Sequence, residues 1–292
     1  MEGLSPIDAW AAVAILAKAF GYVAALLAIG GVLFAATFRD APEDVTRLAR
    51  RMAALAACAG LLILASRIGI RSARISGMGV EGALDPMLLG LVWDSPLGDA
   101  ALWRAGGEIL ILTVLMRGGV WRALSLAGAA AVAASFTLVG HSLDGPRVLM
   151  VSMLVIHVIA AAFWVGALLP LHRAAGSRTG AALLHRFGRL ASFGVAALAL
   201  AGLTLAWVTV GSVAGLFGTA YGWMLVAKLS VVCLLLAFAA SNKLRLVPAL
   251  AQGEAHAPAR LRRSIRLELW AVAAIALLTA ALTSVTVPPF NL

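Results

Sequence analysis

One apolar run limits what the whole chain can fold into. From Leu149 to His172 the sequence reads LMVSMLVIHVIAAAFWVGALLPLH. That is long enough to cross a bilayer, whose hydrocarbon core takes about 20 residues of helix. A single segment can satisfy its own backbone N–H and C=O groups in that medium only as an α-helix. Seven further apolar runs recur along the chain, giving expected spans near 9–37, 48–66, 102–116, 121–140, 149–171, 190–210, 222–241 and 267–286. With 62% hydrophobic and 12% charged residues, the chain has far more apolar sequence than a soluble core needs. Strict apolar/polar alternation is absent, which excludes an outer-membrane barrel. The expected fold is all-α, a polytopic membrane helix bundle of about eight transmembrane helices. With neither an internal repeat nor a low-complexity linker, residues 1–292 read as one integral membrane domain.

The net charge of +10 is carried by short loops, so it reads as topology and contact with anionic lipid, not nucleic acid. The first, third, fifth and seventh loops hold sixteen of the 23 Lys and Arg residues. Those loops are expected on the cytoplasmic side, which leaves both termini outside. The N-terminal run has no basic residue before it and is broken by Lys18; it reads as an uncleaved first span. In the long second loop, LDPMLLGLVW is too short to span and is expected to lie at the interface or re-enter it. Glu81, Asp85, Asp94 and Asp99 surround it; they either concentrate cations at an outer mouth or balance neighbouring arginines. Cys58 and Cys233 lie in apolar spans without a CxxC motif, and burial is expected for both.

Met150, Met153, His157 and Trp164 fall on one stripe of the fifth span. Methionine at helical spacing is usually packing. An ionisable histidine inside a span is costly and normally faces a bundle interior or a pathway. Two thioethers and an imidazole on one face suit a soft ion, above all Cu(I), although histidine also accepts Cu(II). His157 is expected about 12 Å deep. Glu108, Lys228 and Lys18 share the outer half of the membrane with it. A lone Lys228 would repel a cation there, so Glu108 is its expected ion-pair partner.

His141 ends the fourth span in VGHSLDGP, near the level of Met150. One ion cannot reach both His141 and His157, so the residues form two stations: His141 with Met150 outside, Met153 with His157 deeper. Trp164 and His172 are further candidates along the path; His185 and His256 read as solvated loop residues. No hydrolase, nucleotide-binding or dinucleotide motif is present, and the chain is not expected to be an enzyme.

Several segments together resemble the copper-resistance D family of bacterial inner-membrane proteins. They are GHSLDG at 140–145, HVIAAAFWVGALLPL at 157–171, RFGRLASFGVAALALAGL at 186–203, TAYGWMLVAKL at 219–229, NKLRLVPAL at 242–250, RRSIRLELWAV at 262–272 and TSVTVPP at 283–289. The resemblance is strongest from about Phe136 to Pro289 and looser over the first 135 residues. It implies copper movement across the inner membrane, often beside a periplasmic copper-binding protein of the C type, and maps the family's membrane histidines onto His141 and His157. The first span begins almost at once, so such a partner is expected as a separate chain.

Two other classes compete with a copper permease. A membrane haem-b electron carrier needs paired histidines at one depth, and the offset of His141 from His157 opposes it; a Soret band in purified protein would support it. A non-transporting copper sensor or assembly factor would bind copper without moving it. The topology is directly testable: a reporter fused after Arg178 or Arg260 is expected in the cytoplasm, and one near Asp144 outside. Cytoplasmic residue 144 would invert the assignment.

Overall fold

The computed structural model describes residues 8–139, 146–176 and 180–286. His141 lies outside those residues, so the expected outer station is represented in the structure by Met150 alone. The described chain is helical almost throughout. In order, the helices are α1 (Ala9–Thr37), α2 (Glu43–Ser76), α3 (Val80–Leu84), α4 (Pro86–Trp93), α5 (Pro96–Ile111), α6 (Gly119–Ser135), α7 (Arg147–Ala174), α8 (Gly180–Val210), α9 (Val213–Gly218), α10 (Ala220–Ser241), α11 (Val247–Gln252) and α12 (Ala257–Val285). A 3-10 turn, Leu112–Leu115, extends α5, and a π-helical turn, Asn242–Leu246, joins α10 to α11.

The all-α membrane bundle is borne out. Six helical segments are long and apolar enough to cross a bilayer: α1, α2, α7, α8, α10 with its π turn and α11, and α12. The third and fourth expected spans coincide with α5 and α6, which have only 16 and 17 residues. The PMLLGLVW run forms α4, a helix of 8 residues capped by Asp85, whose carboxylate accepts from the N–H groups of Met87 and Leu88. A helix that short cannot span. It folds back on α2 with Met87 and Leu91 exposed. Asp85 is thus a cap, and Asp99 lies in the first turn of α5, where a carboxylate suits the helix dipole.

α1 is the axis of the packing and touches α2, α6, α7 and α12. Its closest approach is to α7, where a Cβ built on Gly30 would run into the Ala162 carbonyl and the Gly166 backbone, and one on Gly166 into Gly30. Small residues at a membrane crossing let two backbones touch and gain van der Waals contact. The opposite face of α7 then looks away from α1 and carries Met150, Met153, His157 and Trp164.

The arginine-rich end is tied across the same helices. Arg186 grips both carboxylate oxygens of Asp40 at 2.6 and 2.7 Å, and Arg173 reaches Asp44 at 2.8 Å. His185 and His256 are exposed at this end, as expected. Cys58 and Cys233 depart from expectation: both are exposed on the outside of the helices. An outward apolar face of a membrane helix meets lipid, so hydropathy does not distinguish it from the core.

Gly166→Val would push α7 off α1 and is expected to cost about 1–3 kcal/mol, as overpacking does. Thermal unfolding of the purified protein in detergent should show the loss; an unchanged midpoint would contradict this crossing.

Candidate functional site

The ionisable groups inside the bundle fall into three sets. The first is built on α5. Arg104 and Glu108 stand one helical turn apart, and Arg104 Nε donates to Glu108 Oε1 at 3.3 Å. Arg104 Nη2 also donates to the Gly21 carbonyl of α1 at 2.8 Å, and its guanidinium lies 4.6 Å from the centroid of the Phe136 ring. Glu108 is fully buried, pressed against Gly60 of α2, where a Cβ would collide with the carboxylate. This corrects the expected Glu108–Lys228 pair: the partner of Glu108 is Arg104. Among the described residues Glu108 Oε2 and Lys228 have no hydrogen-bond or ion-pair partner. On the other side of α1, Lys18 Nζ donates to the Thr283 carbonyl of α12 at 2.8 Å and reaches Ser284 Oγ at 3.4 Å. Lys18 thus ties α1 to α12.

The second set surrounds His157. Ten residues along α7 from Arg147, or about 15 Å, its imidazole lies against α8, at Gly202 and the Leu198 carbonyl. Gly202 leaves the ring its place: a Cβ there would stand 3.2 Å from His157 Cε1 and 3.4 Å from Nδ1. Nδ1 is buried and has no hydrogen-bond partner among the described residues. Lys228 on α10 is the charged side chain that acts on it. Met153, half-buried, stands one turn earlier on the same face, and Met150 is buried a turn before that. The arrangement offers a soft ion an unpartnered imidazole nitrogen, with a thioether one helical turn away on the same face. It is not a closed metal centre. Among the described residues, no three His, Cys, Asp or Glu side chains converge on one point.

The third set lies two turns further along α7. Trp164 does not stand open to a path: its Nε1 donates to Glu268 Oε2 on α12 at 3.1 Å. Asn242 Nδ2 donates to the other carboxylate oxygen. Glu268 is absent from the expected site residues, although a carboxylate within LELWAVAAI is a visible signal. His172, nearer the arginine-rich end, is half-buried with Nε2 unpartnered among the described residues, while Arg262 donates to its backbone carbonyl at 3.3 Å.

Fold and site together define a polytopic membrane protein with a buried, unpartnered imidazole nitrogen in its interior. The family follows from comparison. The profile of copper resistance protein D matches residues 181–282, and that of the copper resistance protein D-like N-terminal domain matches residues 7–148. The chain belongs to the copper resistance D family. The N-terminal half is therefore matched as fully as the C-terminal half, beyond the loose likeness expected of it. α7 from Leu149 onward, with His157, falls in the interval between the two matches. Comparison with curated proteins and with solved structures gives no match.

Breaking a buried ion pair strands one charge, which costs about 3–5 kcal/mol. Arg104→Met and Glu108→Gln should each destabilise the bundle more than the double variant does, while Lys228→Met should add to Glu108→Gln without coupling. Equal losses for both singles and the Arg104/Glu108 double would dissolve the pair.

Proposed function

We propose that this protein moves copper, as Cu(I), across the inner membrane from the periplasmic side along the stripe of α7 that carries Met150, Met153 and His157. Membership of the copper resistance D family supplies the copper and the membrane context. The observation that carries the path is the open Nδ1 of His157, buried in the bundle beside a thioether at helical spacing. A cargo site must release its ion, so two or three weak soft ligands serve permeation better than a closed cage. His141, on the chain just before α7, is assigned to the outer station with Met150. His172 is assigned to the exit.

The copper dips into this path from solution or from a separate periplasmic copper-binding protein of the C type, and no bond of a substrate is made or broken: the protein is a carrier, not an enzyme. The haem-b alternative is disfavoured by placement. Among the described residues no second histidine stands at the depth of His157, since His172 is 15 residues further along α7 and His185 and His256 are exposed.

His157→Ala is expected to abolish copper accumulation in cells while folded protein remains in the membrane. Met153→Leu keeps the volume and removes the soft ligand, and should lower Cu(I) accumulation without harming assembly. His185→Ala and His256→Ala should accumulate copper as wild type does. Normal accumulation by His157→Ala at matched expression would reduce the stripe to packing.

A further inference from the structure

Glu268 is buried on α12, with 3% of its surface exposed. Its two oxygens meet two neutral donors from different parts of the bundle, Trp164 Nε1 of α7 and Asn242 Nδ2 of the π-helical turn. The charged or titratable residues of the elements around it are otherwise disposed. Lys243 of the π turn donates to Ser192. Arg262, on the same helix as Glu268, donates to the His172 carbonyl of α7. Arg245, Arg263 and Arg266 form no ion pair with Glu268 among the described residues, and Lys228 lies fourteen residues back along α10, in the other half of the bundle. A carboxylate held by neutral donors alone, away from water, gains greatly by taking a proton.

Asn242 supplies the second observation. Its Oδ1 is buried without a partner among the described residues, while its Nδ2 serves Glu268. A side-chain amide carries a donor and an acceptor on one rotatable group. When Glu268 is a carboxylate, Nδ2 faces it. When Glu268 is an acid, one of its oxygens becomes a donor, and turning the amide presents Oδ1 to receive that hydrogen bond. The same neighbour satisfies both forms. A π-helical turn at a functional position also recurs widely, because it redirects one side chain without ending the helix.

We propose that Glu268 is a proton-exchange site. It holds one proton as the neutral acid and releases it to water at the arginine-rich end, leaving the carboxylate on Trp164 and Asn242. His172, eight residues beyond Trp164 toward that end, offers its unpartnered Nε2 as the next polar stop. Coupling to cargo rests on the copper reading above: Trp164 shares the α7 face of His157, so a cation arriving on that face favours departure of the proton to the arginine-rich end, and the acid is restored by a proton from water on the outer side, so that one proton crosses with each ion.

Infrared difference spectra of the purified, full-length protein, recorded as pH is stepped, read the site without copper. Wild type should show a carboxylic-acid C=O band that fades as pH rises and shifts in deuterated buffer. Glu268→Gln, which keeps size and the Trp164 bond, should lack it, and Asn242→Leu should move it. Glu268→Asp serves if the glutamine variant does not fold, and should displace the band. A wild-type spectrum with no titrating acid, or one unchanged by every Glu268 variant, overturns the site. In proteoliposomes loaded with a pH-sensitive dye, Cu(I) uptake by wild type should carry a matching proton movement that Glu268→Gln loses. Copper uptake by wild type without proton movement overturns the coupling. No copper uptake with the infrared band intact overturns the transport reading and leaves the proton site standing.

Discussion

The backbone contact between Gly30 of α1 and Gly166 of α7 decides where everything else in the bundle points. A helix can be turned about its axis freely until one face is committed. Here the commitment is steric, because only a face lined by Ala162 and Gly166 lets α7 seat against α1. At 100° per residue the stripe of Met153, His157 and Trp164 is carried to the far side of α7. The imidazole is thereby aimed at α8 and the indole at α12. The same crossing joins the part of the chain matched by the N-terminal domain profile to the part that follows it.

Inside that frame, ionisable side chains are sorted by how fully their atoms are engaged. Arg104 is held by Glu108, the Gly21 carbonyl and the Phe136 ring, and Lys18 by the end of α12. These groups tie helices together and have little left to offer a solute. Four buried atoms are idle among the described residues: Glu108 Oε2 on α5, and His157 Nδ1, Asn242 Oδ1 and His172 Nε2. The last three lie on α7 or, by way of Glu268 and Trp164, one link from it, in an order that runs toward the arginine-rich end. An unsatisfied polar atom is expensive in a low-dielectric interior.

Hydropathy and periodicity are local properties, which is why the spans, the short α4 and the α7 stripe are legible in the sequence. Partnership is not local. Arg104 lies near the start of the third expected span, and its spacing from Glu108 is that of an i, i+4 ion pair. Depth counting instead matches Glu108 with Lys228, because depth carries no information about which helices are neighbours. Glu268 lies two residues past Arg266 and is masked by the basic run before it. Cys58 and Cys233 read as buried because lipid and protein core look alike to a hydropathy scale.

The brevity of α6 has a mechanical consequence for the membrane itself. Its 17 residues give a rod of about 26 Å, against a hydrocarbon thickness of about 30 Å, whereas α5 with its 3-10 turn reaches about 32 Å. The two are packed side by side, so the mismatch falls on one flank of the bundle instead of being shared around it. A bilayer meets a short helix by thinning against it, which brings headgroups and water nearer to that flank than to the long helices opposite.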